Sequence, residues 1–161
     1  KEVFMHYRIR NITPDEYPLL DHFLYEAIFV PEGHTPPSPS VIASHPLQVY
    51  IRDFGHSPDD HGLVAEADGR IIGAIWARIM DDYGHVDDET PSLALSLDKD
   101  VRGQGIGSAL LTHMLALLKK KGYAQVSLSV QKANYAVRLY RKAGFEVVKD
   151  MEEEYIMICK L

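Results

Sequence analysis

An apolar strand that breaks at closely spaced glycines and resumes as a helix narrows the folds open to this chain more than any other feature. Leu93 to Leu97 form the strand pattern, and a polar turn follows at Asp98-Lys99-Asp100. Arg102-Gly103-Gln104-Gly105-Ile106-Gly107 comes next, after which Ile106, Leu110, Leu111, Met114, Leu117 and Leu118 recur along one side of a helix. Lys119 to Lys121 put positive charge in its last turn, where it favours the negative end of the helix dipole, and Gly122 is a left-handed stop. Strand, glycine turn and helix form one unit.

Such a unit can hold an anion. The first N–H groups of a helix lack intrahelical partners and carry partial positive charge. Gly103, Gly105 and Gly107 remove side chains that would keep a phosphate from those donors, and Arg102 adds a charge-assisted donor at the mouth. The plainer alternative is a turn whose glycines serve only the backbone. Three glycines at alternate positions directly before an amphipathic helix favour the cradle. A Walker loop would need Gly-Lys-Ser/Thr, and Gly107-Ser108-Ala109 lacks the lysine. A dinucleotide fingerprint needs Gly-x-Gly-x-x-Gly, an interval these glycines do not match, and no second such unit follows.

Further on, Asn134-Tyr135-Ala136-Val137-Arg138-Leu139-Tyr140-Arg141-Lys142-Ala143-Gly144-Phe145 forms a capped helix with a glycine stop. Together, Arg102-x-x-Gly105-x-Gly107 and this segment resemble two ordered motifs of the GNAT N-acetyltransferase superfamily. Those motifs are Gln/Arg-x-x-Gly-x-Gly/Ala between the fourth strand and third helix, then Asn-x-Ala-x-x-Leu-Tyr-x-x-x-Gly-Phe. Leu93 to about Val148 carry the resemblance, and the remainder follows it through element order. It implies an α/β, GNAT-like fold: a single mixed and mostly antiparallel sheet of about seven strands flanked by about four helices.

A length of 161 residues suits one such domain spanning residues 1–161. With 46% hydrophobic and 25% charged residues the composition is that of soluble globular proteins. No apolar run approaches bilayer-spanning length and no basic-then-apolar leader is seen, so neither membrane nor export is expected. Cys159 is the only cysteine, which precludes an internal disulfide, suits a cytoplasmic location and fits a buried small hydrophobe. The net charge of −6 argues against nucleic acid. Residues 1–90 hold 6 Lys/Arg against 16 Asp/Glu, whereas residues 91–161 hold 11 against 7. The basic half suits a polyanionic cofactor and the acidic half a cationic amine.

The remaining elements follow in order. His6 to Arg10 reads as a strand. Thr13 caps a helix with Pro14 first and Glu16 closing a capping box, its core stripe being Leu19, Leu20, Phe23, Leu24, Ala27 and Ile28. Pro31 to Ser40 is a proline-rich loop, and Ser44 to Phe54 a shorter helix. His56, Asp59, Asp60 and His61 are metal-ligand types, but beside Ser57-Pro58 and Gly62 they read as an exposed turn, so no metal is expected. Leu63 to Glu66 and Arg70 to Ile79 are strands joined by an Asp68-Gly69 hairpin, with Gly73 marking a bulge. Asp81 to Pro91 is a polar loop. Gln125 to Val130, Phe145 to Val148 and Tyr155 to Lys160 are strands, the last two flanking an acidic turn.

The resemblance implies direct acetyl transfer from acetyl-CoA, as co-substrate, to a primary amine within a ternary complex. Carried over, Arg102, Gly103, Gln104, Gly105, Ile106, Gly107 and Ser108 hold the pyrophosphate. Main-chain groups of Leu95, Ser96 and Leu97 pair with the pantetheine arm, and the Leu97 N–H serves the oxyanion. Asn134 caps its helix and touches the same arm. Tyr140 is the expected general acid, since a phenol with a pKa of about 10 can protonate a departing thiolate. Glu89 is the first choice for the base and His85 the second, by proximity to the central strand. Acceptor recognition is expected from the first helix, the Pro31 to Ser40 loop and the final hairpin, with Glu26, Glu32 and Tyr83 as contacts. The rival readings are a non-catalytic acyl-CoA sensor or interaction module and a nucleotide-binding regulatory domain. A homodimer through the sheet edge or the acidic half is compatible with either.

Overall fold

The computed structural model describes residues 6–161. Its strands are β1 (Arg8–Asn11), β2 (His61–Ala67), β3 (Arg70–Arg78), β4 (Ser92–Leu97), β5 (Gln125–Gln131), β6 (Glu146–Asp150) and β7 (Glu154–Lys160). Its α-helices are α1 (Leu19–Glu26), α2 (His45–Gln48), α3 (Ile106–Lys120) and α4 (Ala136–Ala143). The seven strands form one sheet in the order β1-β2-β3-β4-β5-β7-β6. Every neighbouring pair is antiparallel except β4 and β5, which run parallel with α3 as the crossover. This is the seven-stranded mixed α/β architecture that the two motifs imply.

Alternation along the strands divides the core between the two sheet faces. Ile72 and Ile75 of β3 pack with Leu110, Met114 and Leu118 of α3, while Ala74 and Trp76 pack with Leu20, Phe23 and Leu24 of α1. Each such leucine contributes about 1.5–3 kcal/mol by leaving water. Cys159 is buried in the α3 face, as expected of a small hydrophobe. Among the described residues no helix is long and apolar enough to cross a membrane.

Several local expectations are corrected. The segment Ser44 to Phe54 is helical only over His45–Gln48, and turns carry the chain onward with Asp53 and Gly55 at positive φ (55° and 97°). The first helix divides into a 3-10 turn at Pro14–Glu16 and α1 from Leu19, because Pro18 offers no N–H to continue the ladder. Glu16 accepts from the Thr13 amide at 3.0 Å, as a capping box requires, and also from Arg10 at 2.8 and 2.7 Å. β2 begins at His61, inside the expected turn. Beside Gly73 the β2–β3 register slips between Ala65 and Glu66, the expected bulge, and a Cβ at Gly73 would collide with Leu97. Asp68 and Gly69 both take positive φ (52° and 76°), the geometry of a tight two-residue hairpin.

Three of the four metal-type residues have other work. Asp60 accepts from Arg78 Nε at 3.0 Å and from the Gly55 amide at 2.9 Å. Tyr123 donates its hydroxyl to Asp59 at 2.5 Å, and its oxygen lies 3.0 Å from His61 Nε2. His56 is exposed.

Candidate active site

The parallel partners part company almost at once. β4 and β5 register only at Ser92 and Ser127, where the Ser127 amide donates to Pro91 O at 3.0 Å. Beyond that point β4 keeps its other neighbour, pairing with β3 through Leu97. Main-chain groups alternate sides along a strand. Since Pro91 faces β5 and the Asp98 amide donates to Ile72 on β3, the groups of Leu95 and Leu97 turn into the gap, while those of Ser96 turn to β3. Ser96 thus differs from the expectation for its main chain. Its side chain is the unusual part: the Oγ is buried and, among the described residues, has no hydrogen-bond partner.

At the carboxyl end of β4 the glycine turn delivers bare donors. Gly103 and Gly105 take φ of 77° and 86°, which L-residues avoid, and the first α3 bond runs from the Ala109 amide to Gly105 O at 3.1 Å. Among the described residues, the amides of Gly103, Gln104, Gly105, Ile106, Gly107 and Ser108 have no protein acceptor. Ile106 buries its side chain in the core, so only its amide is available. Gln104 and Ser108 are exposed. Arg102 donates from Nε to Leu97 O at 3.2 Å and from one Nη to Glu26 O at 3.0 Å, joining the turn to the end of α1.

Two cavities meet over this gap. The first, about 630 Å³, is lined by Leu24, Tyr50, Tyr83, Ser129 and Glu152 to Glu154, among others. The second, about 570 Å³, is lined by Ser96, Leu97, Arg102, Gly107, Tyr135 and Leu139. Leu95, Asn134 and Tyr140 line both, so they mark the junction. Among the described residues, Glu152, Glu153 and Glu154 are the only charged ones of the first cavity, whereas Lys99 and Arg102 line the second beside a single glutamate, Glu26.

Tyr140 is 7% exposed, edge-on to Phe145 at 5.6 Å between ring centroids. Burial alone pushes its phenol well above the ordinary range, so it stays protonated. Asn134 Oδ1 accepts from the Ala136 amide at 2.9 Å, but the N-cap of α4 is Tyr135, so Asn134 braces the turn into the helix from one residue outside the expected cap position. Glu89 is exposed and lines neither cavity; its amide donates to Asp87 at 2.9 Å. His85 also lies outside both, with Nδ1 2.9 Å from Met80 O. Tyr83 lines the first cavity, Glu26 the second, and Glu32 neither.

The profile of the Acetyltransferase (GNAT) family matches residues 22–145. The chain belongs to that family. Acetyl-CoA is the family's co-substrate, and free amides, an unpaired β4 edge and an adjoining cavity lined by Lys99 and Arg102 are groups of the kind a diphosphate and its arm would need. The chain is 37% identical over 113 residues to a mycothiol acetyltransferase of Clavibacter sepedonicus, a match covering 64% of this chain and 35% of that protein. It is 32% identical over 84 residues to human N-acetyltransferase 8B, covering 52% and 37% respectively. The chain thus spans about a third of the length of these relatives. Among solved structures, PaiA N-acetyltransferase of Thermoplasma acidophilum in complex with coenzyme A superposes with a TM-score of 0.72 at 23% identity, covering 98% of this chain and 100% of that one. The ribosomal-protein-S18-alanine N-acetyltransferase of Escherichia coli gives 0.66 at 20% identity, covering 96% and 94%. These likenesses show the shared GNAT fold.

Sequence reasoning passed over Tyr50, Ser129 and Tyr135. Tyr50 and Ser129 carry no local signal, being brought to the first cavity by packing; Tyr135 fills an unspecified position of the second motif.

Proposed function

We propose that the domain moves an acetyl group directly from acetyl-CoA to the primary amine of a cationic small molecule or peptide, in a ternary complex. One observation carries the reading: an unpaired strand edge, Arg102 and Gly107 from the run of free amides line one cavity, which meets a second, acidic cavity at Tyr140. Acetyl-CoA supplies the activated thioester. Gly103 to Ser108 and Arg102 bind its diphosphate, and Leu95 and Leu97 offer main-chain partners to the arm between diphosphate and sulfur. The Leu97 N–H faces the gap and can steady charge on the carbonyl oxygen. Tyr140, kept protonated by burial, gives a proton to the leaving sulfur. The glutamates of the β6–β7 turn draw a cation to the first cavity.

Two measurements test this. Calorimetry with acetyl-CoA, ATP and NAD should show binding of acetyl-CoA alone; preference for either nucleotide rejects the reading. An amine panel assayed by free-thiol release from acetyl-CoA should find acceptors among cations. Arg102→Ala combined with Gly105→Glu puts a carboxylate in the cradle and should abolish acetyl-CoA binding in a folded protein.

A further inference from the structure

An ammonium group has no lone pair for attack, so direct transfer to an amine requires a route for removing a proton. Glu89 and His85 lie outside the first cavity, and Glu152 and Glu153 stand exposed at its rim. A different carboxyl is buried behind its wall. Asp82 follows β3 and accepts from Ser92 Oγ at 2.7 Å through Oδ1, while its Oδ2 is buried and has no hydrogen-bond partner among the described residues. The Tyr50 phenol lies beside this carboxyl with no hydrogen bond formed between the two, which leaves Oδ2 free to accept from it, and Tyr50 lines the first cavity. Trp76, with 0% exposure, donates from Nε1 to Tyr50 O at 2.9 Å and fixes the backbone from which the phenol projects.

We infer that Tyr50 and Asp82 form a proton relay for the acceptor amine, with Tyr50 on the cavity wall and Asp82 behind it. The inference rests on the acyl-transfer reading and names the base which that reading lacks. The ammonium gives one proton to the Tyr50 oxygen as the Tyr50 hydroxyl proton passes to the Asp82 carboxylate. The freed nitrogen lone pair forms the C–N bond at the thioester carbonyl, and the C–S bond breaks. Sulfur takes the Tyr140 proton, and the second proton shed by nitrogen restores Tyr140. One amide N–H remains, and Asp82 holds the net proton until it returns to solvent through Tyr50. Tyr50 touches the amine; Asp82 acts through it, as a positioning residue and proton acceptor.

Burial raises the Asp82 carboxyl above the usual carboxylate range, which makes it a better proton acceptor than an ordinary aspartate. The Ser92 hydroxyl, the Gly84 amide and the Tyr50 phenol face it and oppose that rise. Tyr83 is the other titratable group against Tyr50.

The test compares two probe acceptors, butylamine, an ammonium ion at neutral pH, and methoxyamine, which is already the free base. Asp82→Asn should cut butylamine turnover by about 10²–10⁴-fold relative to methoxyamine, with Tyr50→Phe behaving alike and Asp82→Glu partly restoring it. Equal losses with both probes, or no loss, overturn the relay. Calorimetric binding of acetyl-CoA by Asp82→Asn reports separately on the acyl-transfer reading and should be unchanged. Carbon-13 NMR of the Asp82 carboxyl decides the matter whether or not either amine is turned over. The carboxyl should titrate above the ordinary aspartate range and shift in Tyr50→Phe; an ordinary titration indifferent to Tyr50→Phe refutes the inference.

Discussion

Gly105→Ala separates fold from ligand at the cradle. Gly105 enters α3 at φ +86°, and a Cβ there would meet nothing within 4 Å. The substitution therefore clashes with nothing, and its cost is backbone strain of about 1–2 kcal/mol. For a domain of this size about 1 kcal/mol moves Tm by about 2–4 °C, so the variant should melt roughly 2–8 °C lower. Rotation out of the left-handed region relieves the strain but turns the Ile106 and Gly107 amides away from a common point. Acetyl-CoA at about 100 times its Kd adds about 2.7 kcal/mol to the native protein, or roughly 5–11 °C. Thermal unfolding followed by circular dichroism, with and without acetyl-CoA, should show that rise in the wild type and lose most of it in Gly105→Ala. Gly107→Ala is the control: its Cβ would make ordinary contacts of 3.7, 3.8 and 3.9 Å with Leu97, Leu139 and Leu95 in a helix, where alanine is favoured. It should keep its stability, which shows that the melting loss in Gly105→Ala comes from the left-handed φ. A Gly105→Ala protein that melts lower yet keeps the full acetyl-CoA shift would show that these amides are not the anion donors.

Tyr140→Phe retains the ring packed on Phe145 and should leave calorimetric acetyl-CoA binding unchanged while lowering kcat by about 10²–10⁴-fold; unaltered turnover removes Tyr140 from the mechanism. Because its phenol is raised, Tyr140 contributes stability that is intact below the ordinary tyrosine range and is lost as pH climbs through its folded value, so alkaline unfolding should weaken in the same variant. At the acid end, hydrogen bonding from Arg10 lowers Glu16 from 4.5 to about 2. A depressed carboxyl stabilises above its unfolded pKa and ceases to do so as pH falls through the folded one. Denaturant titrations of wild type and Arg10→Ala should therefore differ by about 1 kcal/mol at neutral pH, for so accessible a pair, and converge near pH 2.

The strand, glycine turn and helix from Leu93 to Lys120 were legible because each depends on residues a few positions apart: a φ that only glycine takes freely, a repeat of leucines, a basic last turn. That Asn134 would turn the chain into α4 was legible for the same reason, although Tyr135 takes the cap position. The helix expected over Ser44 to Phe54 failed because its apolar residues answer to the α1 face of the sheet, where Tyr50 and Phe54 are buried from turns instead of from a helix. Ser96 was read as a main-chain contact, and only strand pairing decides that its backbone faces β3. Arg102 was legible as a cation at the turn, but not as the tie to Glu26, 76 positions earlier. Tyr50, Asp82 and Ser92 carry no shared pattern at all. By itself, then, the sequence determined the local geometry of the cradle and of α4, since hydrogen bonding and backbone sterics act within a turn or two. Tertiary structure alone decided how far β4 and β5 diverge and which side chains line the first cavity, since both follow from packing across a sheet whose neighbours are far apart in the chain.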